Sequence, residues 1–269
     1  TELYDGTNWT SGNTMNTGRQ QVAGSGTQTD GMAFGGDRPP SEAAQTTIES
    51  WDGTSWSTSP ATLATARARA GAGRNTAAGT WIAGGIGPGG GGEGFDATEV
   101  YEKSTNVVTA AAWASSGNLN TARDGHATTT NAAADTGLVF GGNYPSGTDN
   151  SESYDGTSWT EGPNLPQALS FLGGAGTATA GLSFTGRLNP GPRVASTYEW
   201  DGSSWTAGGD YGASQAYSGG AGTQTAAIGV AGELPPGTDL TTSYEYNGSS
   251  WTAGNACNVP GYDALVFGT

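Results

Sequence analysis

Cysteine and histidine are almost missing from this chain: Cys257 and His126 each stand alone. A single cysteine excludes a disulfide framework and a cysteine-based zinc site. Any Ser–His–Asp system would have to centre on His126, and multi-histidine copper chemistry has no ligands to use. Bases are scarce too, nine Lys and Arg against 24 Asp and Glu, for a formal charge of −15. Such a surface repels phosphate backbones, which argues against a nucleic-acid partner; it suits solubility in salt or weak Ca²⁺ binding. No run approaches the roughly 18 apolar residues of a membrane span, so no membrane insertion is expected. A signal peptide is not evident, and the first residue is Thr1, which reads as a mature form or an excised piece.

What is abundant is glycine, 48 residues, with nine Trp and ten Tyr. The aromatics fall at regular spacing, which argues against a disordered low-complexity chain. Their frame is a phrase of aromatic, Asp-Gly and Trp, seen at Tyr154-Asp155-Gly156-Thr157-Ser158-Trp159 and in copies at Tyr4–Trp9, Trp51–Trp56, Trp200–Trp205 and Tyr246–Trp251. Asp-Gly and Asn-Gly accept the positive φ of a tight turn, and flanking aromatics favour strands, so each copy predicts a hairpin. The hairpins lie near 1–10, 48–57, 98–114, 151–160, 197–206 and 243–252. A period of roughly 45–50 residues signals a repeat architecture.

A second unit alternates with the hairpins. A strand of small residues (Gly24–Thr29, Gly71–Thr76, Gly174–Thr177, Gly220–Thr223) precedes a bulkier one ending in glycine, as in Leu138-Val139-Phe140-Gly141-Gly142. Trp9 to Thr27, Trp159 to Thr177, Trp205 to Thr223, Trp251 to Thr269 and Trp113 to Asn131 are each eighteen residues apart. That register makes Trp113 the hairpin tryptophan of the third copy and Glu102–Ala112 an insertion. Each repeat then has four strands, which fits a propeller blade with its crowded small strand at the axis. The expectation is an all-β, six-bladed β-propeller with four-stranded blades, one domain over residues 1–269. The N-terminal hairpin and C-terminal segment would share the sixth blade. One strand of that blade is lacking, so the chain is expected either to continue past one end or to have its edge covered by a neighbour.

Asn120-Thr121-Ala122-Arg123-Asp124-Gly125-His126, then Leu138–Gly142, Tyr154 and Trp159, resemble a full kelch motif, with Arg19 and Arg67 in matching places. The resemblance, to kelch-repeat propellers, spans nearly the whole chain and implies structural roles for the Arg, the Gly pair and the Tyr–Trp pair. The regular Gly-Ala-Gly-Thr-Gln-Thr and Asp-Gly-Thr-Ser-Trp phrasing also looks like repeat proteins of marine bacteriophages. A propeller scaffold by itself implies no function.

Two enzyme readings deserve comparison. Sialidase-like hydrolysis uses an Asp-box resembling Ser153–Trp159, less one residue, and three arginines on a carboxylate. Of Arg19, Arg38, Arg67, Arg69, Arg74, Arg123, Arg187 and Arg193, three occupy the kelch structural position. A two-carboxylate glycosidase would draw on Glu2, Glu49, Glu99 and Glu152, but these recur at one repeat position and read as scaffold. His126, on an inner strand, reads as a packed structural histidine. The run Gly87–Gly92 lacks the ending of a phosphate loop.

Variation is concentrated in the loops 37–47, 86–98, 143–151, 187–197 and 233–243, all expected on one face. A rigid scaffold displaying varied loops is the layout of a binding surface. The leading expectation is a non-enzymatic binding or structural module, in a virion or extracellular setting. Its candidate contact residues are Arg38, Phe95, Tyr144, Arg187, Arg193 and Asp239. The partner would be a protein, a glycan or a neighbouring virion subunit, and no catalytic residue, cofactor or metal ligand is assigned. The alternative is a glycan-active hydrolase.

Overall fold

The aromatic phrase folds as expected, and its chemistry explains why. A computed structural model describes residues 1–39, 43–73, 79–88, 94–102, 112–131, 135–143 and 146–266. In it Asp52 Oδ1 accepts the backbone N–H groups of Thr54 and Ser55 at 2.8 and 2.7 Å. Asp155, Asp201, Asp5 and Asn247 accept the same pair in their copies. The glycine that follows takes φ of 89 to 95° in all five, a left-handed conformation that costs a side-chain-bearing residue far more. These bonds also hold the exposed Asp5, Asp52, Asp155 and Asp201 carboxyls below the usual carboxylate range. The aromatics on either side pair across the hairpin, including Tyr101 with Trp113. The eighteen-residue register therefore identified the right tryptophan. The intervening insertion, 103–111, lies outside the described residues.

Five four-stranded antiparallel sheets surround one axis, and no helix occurs among the described residues. From the axis outward, the third blade reads Ala127–Thr128, Gly137–Phe140, Ser151–Tyr154 and Trp159–Gly162. The other four blades have the same order, from Ala23–Thr27, Gly71–Gly73, Gly173–Thr177 and Gly219–Thr223 at the axis. Crowding explains the small inner residues. A Cβ on Gly220 would lie 2.4 Å from Gly174 O in the neighbouring blade, closer than packed atoms tolerate.

Two devices hold the ring together, one between blades and one within them. Four outer-strand tryptophans donate from Nε1 to a hydroxyl at the start of the hairpin of the preceding unit. Trp159 reaches Thr98, Trp205 reaches Ser151, Trp251 reaches Thr197 and Trp56 reaches Thr1, at 2.8 to 3.0 Å. Bulky second strands pack on those rings, as Phe140 does edge-on against Trp205. The second device is a buried ion pair at the recurring Arg and Glu. Arg123 Nη2 meets Glu152 Oε1 at 2.5 Å, and neither side chain is exposed. The same guanidinium donates to Gly141 O and Asn150 O, and Glu152 accepts the N–H groups of Asn120 and Thr121. Arg19–Glu49 and Arg67–Glu99 repeat this arrangement. In the last two blades Leu169 with Tyr198, and Gln215 with Tyr244, stand in its place.

The expected count of six blades is overturned: five are present. The N-terminal hairpin, Glu2–Tyr4 with Trp9–Ser11, is a separate two-stranded sheet. Beside it the described residues supply no bulky second strand, and 264–266 lie along the axis without joining a ladder. There Leu265 comes up to Gly24 of the first blade and Ala264 to Gly219 of the fifth. Four strands need two segments inside the hairpin, and this sector holds one. Side chains hold the sector instead: Glu2 accepts Asn258 N–H and Val259 N–H, Trp9 Nε1 donates to Asn255 O, and Tyr4 bonds Glu245.

Candidate functional site

One residue just before each inner strand occupies the same place around the axis. These are Gln21, Arg69, Gly125, Phe171, Tyr217 and Asp263, and all have left-handed backbone, with φ between 49 and 62°. Neighbours are joined by backbone bonds: Arg69 N to Gln21 O, Phe171 N to Gly125 O, Tyr217 N to Phe171 O and Asp263 N to Tyr217 O, at 2.6 to 3.2 Å. In four of the six the left-handed turn aims the amide at the preceding unit, and all six residues lie at the same end of the axis. For a residue other than glycine that conformation costs of order 1 kcal/mol or more. Five of the six are not glycine.

The six line a cavity of about 150 Å³ at one end of the axis. Phe171 and Tyr217 stack at 4.5 Å, Tyr262 stands edge-on to Tyr217 at 6.0 Å, and Arg69 lies over Phe171 at 5.9 Å. Arg69 Nη1 is 3.6 Å from Asp124 Oδ2. Asp263 Oδ2, Arg69 Nε and Gln21 Oε1 are shielded from solvent and have no hydrogen-bond partner among the described residues. Burial raises the Asp263 carboxyl to about 7, against a pull downward from Arg69. Tyr217 is likewise raised by burial and by Asp263. His126, deeper in, accepts Gly71 N–H on Nε2 at 3.1 Å, so its proton sits on Nδ1. Burial and Arg123 push it down to about 3, so it stays neutral. It packs as a structural histidine.

The varied loops share this end. Residues one step before the ring, Gln20, Ala68, Asp124, Ser170 and Ala216, bridge to Asp37, Ile86, Asn143, Arg187 and Glu233, where those loops begin. Of the expected contact residues, Arg187 is exposed and Arg193 pairs with Glu233; both guanidinium groups influence Tyr217. Arg38 and Asp239 are exposed on short two-stranded ribbons farther along their loops. Phe95 instead packs under Arg67, with the Arg67 guanidinium 5.6 Å from its ring. Tyr144 lies outside the described residues. Glu49, Glu99 and Glu152 are consumed by the blade ion pairs and Glu2 by backbone amides, which leaves none to act as a glycosidase pair. Among the described residues, no group of three His, Cys, Asp or Glu is placed to hold a metal.

The sequence reading missed the ring. A signal was available: Gln21, Gly125, Phe171, Tyr217 and Asp263 each lie six residues before Thr27, Asn131, Thr177, Thr223 and Thr269. Within regular repeats this column mixes amide, cation, aromatic, acid and glycine.

No family model matches the sequence, and no curated protein matches it. Among solved structures, the chain described as "Structure of YjhT" is similar, with a TM-score of 0.75 and 14% identity. The match covers 92% of this chain and 88% of that one. At that identity the likeness is one of fold, a β-propeller.

Proposed function

We propose that this propeller is a non-enzymatic binding module whose ligand seat is the axial cavity and the loop face around it. The observation that carries this reading is the ring: one backbone conformation, held in six units, bearing five different side chains and one glycine. The hairpin turns and tryptophans repeat their chemistry, whereas this column diversifies while keeping a costly conformation. Strain concentrated at a cavity is a mark of function rather than of folding. Such a module suits a virion or extracellular protein. A glycan array read alongside turnover of glycoside substrates tests it. Retention without turnover, reduced by Tyr217→Ala and Arg187→Ala but unchanged by Thr157→Lys on the hairpin face, is the expected result. Retention that follows Thr157 would place the ligand elsewhere.

A glycan-active hydrolase is the second reading, favoured by one observation: Asp263, raised to about 7 beside Arg69, has the poise of a general acid. Turnover abolished by Asp263→Asn, with binding intact, would establish it in place of the first.

A further inference from the structure

We infer that the axial cavity receives a single neutral pyranose unit, held between the Phe171 and Tyr217 rings and the polar atoms of Gln21, Arg69 and Asp263. This deepens the binding-module reading and rests on it. Size is the first argument: about 150 Å³ is space for one six-membered ring. The second is the polar inventory. Asp263 Oδ2 and Gln21 Oε1 are unpartnered acceptors and Arg69 Nε an unpartnered donor, all withdrawn from water on residues that line the cavity. A buried polar atom without a partner destabilises the fold, so a ligand that supplies partners recovers that cost. Vicinal hydroxyls, each both donor and acceptor, match an acceptor–donor–acceptor set in a way that an apolar ring cannot.

Charge decides between a neutral sugar and an anion. Arg69, Arg187 and Arg193 gather near Tyr217, but Asp124, Glu233 and Asp263 lie among them. Two acids and the half-titrated Asp263 offset most of the three cations, which leaves little to hold a carboxylate, and the whole chain carries −15. A cationic ligand is opposed by Arg69 itself, which already covers Phe171. The aromatic corner completes the match, because the C–H face of a pyranose is apolar while its rim is polar.

Calorimetric titration of the 269-residue chain with methyl glucoside, galactoside, mannoside and fucoside tests this, with glucuronate and cyclohexanol as controls. At least one neutral methyl glycoside should bind in the millimolar range or tighter, and at least tenfold better than either control. Asp263→Asn and Gln21→Leu should each weaken it tenfold or more while near-ultraviolet circular dichroism stays unchanged. Gln21→Leu serves should the Asp263 variant not fold. Preference for glucuronate would make the cavity an anion site, and equal binding of cyclohexanol a merely apolar one. No binding by any neutral glycoside overturns the inference. If loop-face binding of another ligand survives in that case, the broader reading stands and only the sugar assignment falls.

Discussion

Asp263 and His126 sit near one axis, and burial penalises the charged form of each, so their contributions to stability depend on pH in opposite directions. The Asp263 carboxyl goes from 3.8 in an open chain to about 7 when folded. The folded state therefore holds its proton more tightly, and the stability this confers is fully present below about pH 4. It is lost as pH rises through 7. Asp263→Asn has no proton to lose, so its stability relative to the parent should improve steadily between pH 4 and 8 in urea titrations. A constant difference would show that the carboxyl is not desolvated. His126 goes the other way, from 6.5 to about 3, so its contribution is complete above about 6.5 and falls as the solution is acidified. His126→Gln keeps an acceptor for Gly71 N–H and should flatten the acid limb between pH 6.5 and 3. The Arg123–Glu152 pair is a third residue-scale test. Both side chains have no exposure, and Glu152→Ala leaves a guanidinium buried without its carboxylate, a loss of about 3–5 kcal/mol in unfolding free energy. A loss under 1 kcal/mol would show that water reaches the site.

The blade element is where sequence and structure agree most closely. Asp155-Gly156 predicts its turn because two amides need one carboxylate and one residue needs positive φ, both local demands. The Trp159 to Thr177 spacing was readable for a similar reason, since every blade crosses the same distance from rim to axis. What each tryptophan bonds was not readable. The Nε1 of Trp205 goes to Ser151, 54 residues earlier, and only the closed ring brings them together. Phe95 shows the converse: in the sequence it resembles a loop aromatic on display, and the fold packs it against Arg67. Ring residues escaped because the signal sought was sameness, while their mark is difference at a constant offset. Trp205→Phe tests the inter-blade bond. It retains most of the packing on Phe140 but leaves the buried Ser151 hydroxyl unpartnered, at a cost of about 1–3 kcal/mol. Ser151→Ala in the same background should then cost little more; full additivity would show that the two do not interact.

At the scale of the whole molecule, the repeat led to six blades because six hairpins were counted. Hairpins are local, however, and a blade is completed by pairing between segments far apart. The sector from 258 to 266 and 1 to 11 shows the difference. Glu2–Tyr4 pairs only with Trp9–Ser11 among the described residues, whereas Thr98–Glu102 pairs on both edges. Side-chain bonds replace the ladder: Glu2 reaches the amides of Asn258 and Val259, and Asn255 Nδ2 reaches Thr7 O. Such bonds, at exposed positions, are each worth about 0.5–1.5 kcal/mol, so this sector opens at lower cost than the blades. Amide exchange should accordingly be much faster at Glu2–Tyr4 than at Thr98–Tyr101. Glu2→Ala then carries the idea further. Removing that carboxylate should speed exchange over 258–266, the stretch that brings Asp263 to the cavity, and weaken any ligand seated there, while the second and third blades keep their protection. Uniform loss of protection across all blades would instead mean that the hairpin sector unfolds only with the whole ring.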